Sequence, residues 1–103
     1  MTDSTLRHLV LCRFTEQTSA AEVASIGADF AALKQSVPGV LHFESGTNVS
    51  PEGLAQGYTH CFRLDFAGAA ERDGYLVHPA HLAFVERFKP WLAQVLVFDY
   101  AAS

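Results

Sequence analysis

The stretch Thr18 to Val37 constrains the fold more than any other part of the chain. Ser19-Ala20-Ala21-Glu22 is a capping box, in which a serine hydroxyl and a glutamate carboxylate satisfy each other's free backbone donors at a helix start. Val23, Ile26, Phe30, Leu33 and Val37 then recur at steps of three and four, which predicts a helix with one apolar stripe. Pro38-Gly39 stops it. A helix that is apolar along one side only must lay that side on something, so it is expected as an outer layer on a sheet.

The strands for that sheet are legible. Leu6 to Phe14 is rich in branched residues and free of Gly and Pro, with His8, Val10, Cys12 and Phe14 on one face and Leu9, Leu11 and Arg13 on the other. Both faces are mostly apolar, so this strand is expected to be covered on both sides. Val40 to Val49 starts as a strand and loosens at Gly46, with His42 on an edge. Asn48 to Gly57 is a loop broken by Pro51, Gly53 and Gly57, long enough to shape a pocket entrance. Tyr58 to Phe66 alternates Tyr58, His60, Phe62, Leu64 and Phe66 against Thr59, Cys61, Arg63 and Asp65. That second face suits a wet subunit interface in which Arg63 and Asp65 pair. Helices are expected over Gly68 to Val77 and Pro79 to Lys89, and a last strand, apolar on both faces, over Gln94 to Tyr100.

The order β-α-β-β-α(α)-β predicts an α+β, ferredoxin-like fold, a four-stranded antiparallel sheet with helices on one face. The first and third strands are central neighbours and the fourth flanks the first. The helix-free face, bearing Leu9, Leu11 and Cys61, would be bare in a monomer, which predicts a two-fold homodimer through that face. The totals agree. With 103 residues the chain holds one core, read as a single domain over 1–103, yet half its residues are hydrophobic, more than so small an interior hides easily.

Seven basic against 11 acidic residues and no Lys/Arg cluster argue against nucleic acid and anionic membrane as partners. No apolar run reaches the length of a membrane span, and the polar start Met1-Thr2-Asp3-Ser4-Thr5 does not read as a signal peptide, so a cytoplasmic protein is expected. Cys12 and Cys61 form no metal or redox motif and read as two buried free thiols, suited to a reducing compartment.

The chemistry concentrates in Tyr75-Leu76-Val77-His78-Pro79-Ala80-His81. Pro79, with a locked φ and no N–H, starts a new helix. Tyr75 then ends one helix, His78 falls at the joint and His81 lies in the first turn of the next. A phenol and an imidazole converging there make a workable acid–base pair near neutral pH. The competing reading is a core tyrosine with histidines that cap the joint. His78 and His81 are three apart, but no carboxylate or thiol falls at a matching interval, so neither metal nor other cofactor is expected.

The segments RHLVLCRF, SVPGVLHFESGTNVS, GYTHCFRLDF, YLVHPAHLAF and VLVFDY fall in the order and at the spacing of the stress-responsive dimeric α/β-barrel (Dabb) family, which the chain resembles from about Leu6 to Tyr100. Within it, GYTH, YLVHPAH and FDY are most similar to a plant polyketide cyclase. The resemblance implies two sheets joined into one barrel and, in each subunit, a pocket between sheet and helices for a small, partly apolar carbonyl compound. It implies Tyr75 and His81 as the catalytic pair and His8 and His60 as further pocket histidines. By the same resemblance Cys12, Ile26, Phe62, Phe84 and Leu92 are expected along the substrate-binding wall. In an aldol-type cyclisation neutral His81 is the base and Tyr75 the donor that steadies the enolate. His60 is favoured over His8 as a partner of that pair. Asp99 either orients His8 or is a solvated strand-end carboxylate. The alternative is a non-catalytic dimer that binds a ligand or serves a stress-associated role.

Overall fold

The computed structural model describes residues 5–102; the polar start Met1–Ser4 and Ser103 lie outside the described residues. The elements are β1 (Leu6–Phe14), α1 (Ala20–Ser36), β2 (Val40–Thr47), β3 (His60–Phe66), α2 (Ala69–Leu76), α3 (Pro79–Phe88), a 3-10 turn (Lys89–Trp91) and β4 (Leu92–Ala101). One antiparallel sheet runs β2-β3-β1-β4, the ferredoxin-like order. No helix among the described residues is long and apolar enough to cross a membrane.

Helix α1 begins as its sequence dictates. The Glu22 amide donates to Ser19 Oγ at 3.1 Å and the Ser19 amide to Glu22 Oε1 at 3.3 Å. Its stripe is buried at Ile26, Phe30, Leu33 and Val37. After Pro38, Gly39 turns the chain at φ +99°, a backbone region that side chains rarely adopt. The strands differ from the sequence expectation at their ends. β2 and β3 pair only from Val40–Phe66 to Thr47–His60, because past Gly46 the chain leaves for the loop. β4 is longer, since β1 gives it partners from Phe14–Leu92 to Leu6–Ala101.

The core lies between sheet and helices. Phe30 sits at its centre, with ring centroids 4.6 Å from Phe84, 4.7 Å from Phe62 and 5.7 Å from Phe88. Within one chain β1 is covered on its helix side only: Leu9 and Leu11, on the other side, are half-buried. β4 remains exposed on both faces, with Val95 and Val97 toward the helices' side and Leu96, Phe98 and Tyr100 on the helix-free side. On that helix-free side Asp65 is buried and held by Arg7 at 2.7 Å and Arg63 at 3.0 Å, the pairing anticipated for Arg63 with one more arginine added. Both cysteines are free, but only Cys12 is buried; Cys61 is half-buried on the opposite face. Burial, with Cys61 nearby, pushes the Cys12 thiol up to about 12.

Candidate functional site

The joint between α2 and α3 is built by Pro79. Lacking an N–H, it occupies the first position of α3, and extended His78 caps that helix by accepting the Ala80 amide at Nδ1, 3.0 Å away. The His78 amide in turn bonds the Tyr75 carbonyl at 3.1 Å. The chain therefore reverses tightly between Tyr75, at the end of α2, and His81, in the first turn of α3. Their ring centroids stand 4.3 Å apart.

His81 donates Nδ1–H to the Leu76 carbonyl at 3.1 Å, since a carbonyl can only accept; Nε2 of the neutral ring is left as an acceptor. Burial holds its imidazole below the ordinary range, the bond to Leu76 opposes that shift, and nearby His8 adds to it. The ring is therefore a neutral base at pH 7. Tyr75 is 1% exposed and its hydroxyl has no hydrogen-bond partner among the described protein atoms. Burial pushes the phenol well above its ordinary value, so it stays a proton donor across the neutral range.

His8 completes the group. Its ring meets Tyr75 edge-on at 5.8 Å, and its Nδ1 lies 2.7 Å from Asp99 Oδ1, the residue opposite it in the β1–β4 register. The other oxygen of Asp99 accepts from Arg72 Nη1 at 2.7 Å, and Arg72 Nε reaches Asp73 at 2.8 Å. Asp99 thus orients His8 rather than ending the strand in solvent.

The structure brings His8, Tyr75 and His81 together and leaves His60 apart. His60 lies opposite Cys12, whereas His8 lies opposite Leu64. Four residues separate the two stations along β3, roughly 13 Å. His60 packs its ring on Phe14 at 5.0 Å, bonds Thr59 Oγ1 at 2.8 Å, and has its imidazole lowered by burial. The preference for His60 over His8 in the pair's company is therefore reversed: position along the strand, not face, separates them.

Cys12, Ile26, Phe62 and Phe84 belong to the packed core, with Leu92 partly buried against it. Ile26 also borders a cleft of about 450 Å³ with Glu22, Ser25, Arg87, Pro90 and Trp91. A larger cleft, about 770 Å³, opens on the helix-free side between Leu9, Leu11, Cys61 and Leu96 and the loop residues Leu54, Ala55 and Gln56. The long loop thus shapes a cleft on the side of the sheet away from the core. Neither cleft touches Tyr75, His8 or His81. Among the described residues no three His, Cys, Asp or Glu side chains gather as metal ligands, and His78 and His81 both spend Nδ1 on backbone. Sequence reasoning missed Arg72. The signal was available: three residues before Tyr75, it shares that residue's side of α2.

A family model described as "Stress responsive A/B Barrel Domain" matches residues 6–102. The stress-response A/B barrel domain-containing protein HS1 of Arabidopsis thaliana is 34% identical over 95 residues, 92% of this chain and 87% of HS1. Olivetolic acid cyclase of Cannabis sativa is 24% identical over 95 residues, 92% of this chain and 94% of the cyclase. Among solved structures, a hydroxynitrile lyase from Passiflora edulis superposes with a TM-score of 0.93 at 27% identity, covering 99% of this chain and 96% of the lyase. A dimeric ferredoxin-like protein of unknown function from Thermobifida fusca shares the fold, with a TM-score of 0.79 at 24% identity over 95% of this chain and 91% of its own.

Proposed function

The chain belongs to the stress-responsive A/B barrel domain family, and from that premise we propose a homodimer whose Tyr75–His81 site does acid–base chemistry on a small, partly apolar carbonyl compound. The observation that carries this reading is the buried Tyr75 hydroxyl, unpartnered beside a neutral imidazole. A buried hydroxyl without a partner costs about 1–3 kcal/mol, and such costs persist where function requires them. A ligand carbonyl oxygen would accept that bond.

The chemistry follows from the two rings. His81 Nε2 takes a proton from the carbon between two carbonyls, and the C–H electron pair moves onto the carbonyl oxygen as an enolate. Tyr75 donates its hydrogen bond to that oxygen. The enolate carbon can then attack a second carbonyl of the same molecule, and the proton returns from His81 to the new alkoxide. His8 and His60 would hold the ligand's polar ends, and Cys12, Ile26, Phe62, Phe84 and Leu92 its apolar part, the rings around Phe30 yielding to admit it. The cyclase and the hydroxynitrile lyase among the relatives favour an enzyme. The filled core favours the second reading, a non-catalytic binder or stress-associated dimer.

The test is exchange of the central hydrogens of an alkyl β-diketone with deuterated solvent, followed by NMR. The wild type should accelerate exchange and Tyr75→Phe should lose roughly 100-fold. Wild-type protein that binds the diketone without accelerating exchange would leave the binder standing.

The dimer reading rests on the helix-free face, where Leu9, Leu11, Leu96 and Phe98 make an apolar surface that only half closes within one chain. An aspartate there would leave a charge unpaired in an apolar interface. Leu11→Asp should therefore sediment as a monomer; persistence of the dimer would assign the interface to another face.

A further inference from the structure

Arg72 makes two charge-assisted bonds from one guanidinium plane: Nε to Asp73 at 2.8 Å and Nη1 to Asp99 at 2.7 Å. Asp99 spends its remaining oxygen on His8 at 2.7 Å. His8 is almost fully buried, while Arg72 and Asp99 reach the surface. A cation at the rim therefore fixes a carboxylate, and the carboxylate fixes a buried imidazole that meets Tyr75 at 5.8 Å. We propose that Arg72 is a positioning residue of this site: through Asp99 it holds His8 beside Tyr75 with the proton on Nδ1. The inference rests on the acid–base reading above and names a residue that reading does not contain.

The chemistry demands each part. A carboxylate held by a guanidinium only accepts, so the shared proton sits on His8 Nδ1. The group around Tyr75 then offers an acceptor nitrogen on His81 and one hydroxyl donor. That set suits a ligand carrying both a hydroxyl and a carbonyl, as a β-dicarbonyl does in its enol form. A free carboxylate at a strand end would sample several rotamers; the planar fork of an arginine selects one, whereas a lysine is a single point charge. The geometry also explains why α2 carries both residues. Arg72 and Tyr75 lie three apart on one side of the helix, so a single element aims the phenol and clamps the carboxylate across the sheet edge. The competing role is a strap that merely ties α2 to β4.

The full chain, isotope-labelled for imidazole NMR, separates these roles. Wild-type His8 should be a single Nδ1–H tautomer with a slowly exchanging, downfield proton. Arg72→Gln should broaden or remove that signal and lower kcat for diketone exchange by roughly 10-fold with KM little changed. Arg72→Lys should restore part of both, and Asp99→Asn should lose the signal altogether. An intact His8 signal and unchanged kcat in Arg72→Gln, with only the melting temperature reduced, would make Arg72 a strap and overturn the proposal. Should the wild type show no exchange at all, the function reading fails by itself, and the His8 signal alone then decides the role of Arg72.

Discussion

Asp65 and Tyr75 are sealed away equally well, each 1% exposed, and the fold treats them in opposite ways. Asp65, on the helix-free side, receives Arg63 through both oxygens and Arg7 through one. Burial alone would push its carboxyl up, but the bonds from Arg63 and Arg7 more than offset this and hold it below the usual carboxylate range. Tyr75, on the helix side, lies among His8, Phe66 and His81, and its hydroxyl has no hydrogen-bond partner among the described residues. The same chain can satisfy a buried polar group completely when the group serves the sheet. That it does not do so at Tyr75 is the observation on which the proposed acid–base site rests.

Three measurements break or sharpen that contrast. The largest effect should come from Asp65→Ala, which leaves two arginines converging on nothing. Because both are a quarter to a third exposed, the loss should fall near 2–3 kcal/mol by chemical denaturation rather than at the upper end for buried pairs. A loss under about half that would mean the cluster is solvated in solution. Tyr75→Phe should be smaller and of opposite sign, leaving stability unchanged or raising it by up to about 1 kcal/mol, since only an unpaired hydroxyl is removed. Clear destabilisation would reveal a partner for the phenol and end the comparison.

The smallest effect is the dependence of stability on pH, where the two sides should separate. The imidazoles of His81 and His60 are lowered below 6.5 in the folded chain, so the unfolded chain binds more protons in that window. Stability should begin to fall as pH drops through about 6.5, and His81→Gln should flatten that first decline. The Asp65 contribution should persist to lower pH, fading only below 3.8 as its depressed carboxyl is protonated. A single acid transition with no decline near neutrality would show that His81 is not shielded from water.

Local signals carried most of the fold. The capping box at Ser19 and the stripe through Phe30 settle α1 within a few residues of sequence, and Pro79 dictates the α2–α3 joint and with it the meeting of Tyr75 and His81. Alternation assigned His8 and His60 to the helix side, but a period of two says which face a residue takes and nothing about which end of the sheet lies under the joint. Only the tertiary register, His8 opposite Leu64 and Asp99, separates the histidine that meets Tyr75 from the one that packs on Phe14. Arg72 escaped notice because Gly74 weakens the helix that aims it, so the side of α2 it shares with Tyr75 carried little weight in the sequence.

The pairing of β1 with β4 also sets an order of events during synthesis. Asp99, which orients His8, follows it by 91 residues. A nascent chain can assemble β1, α1, β2 and β3, all of which precede the α2–α3 joint, and still present His8 in an unfixed tautomer beside an unpaired strand edge. The His8–Asp99 bond thus waits on the pairing of β4 with β1, and until then the open side of β1 is the surface a chaperone would need to shield.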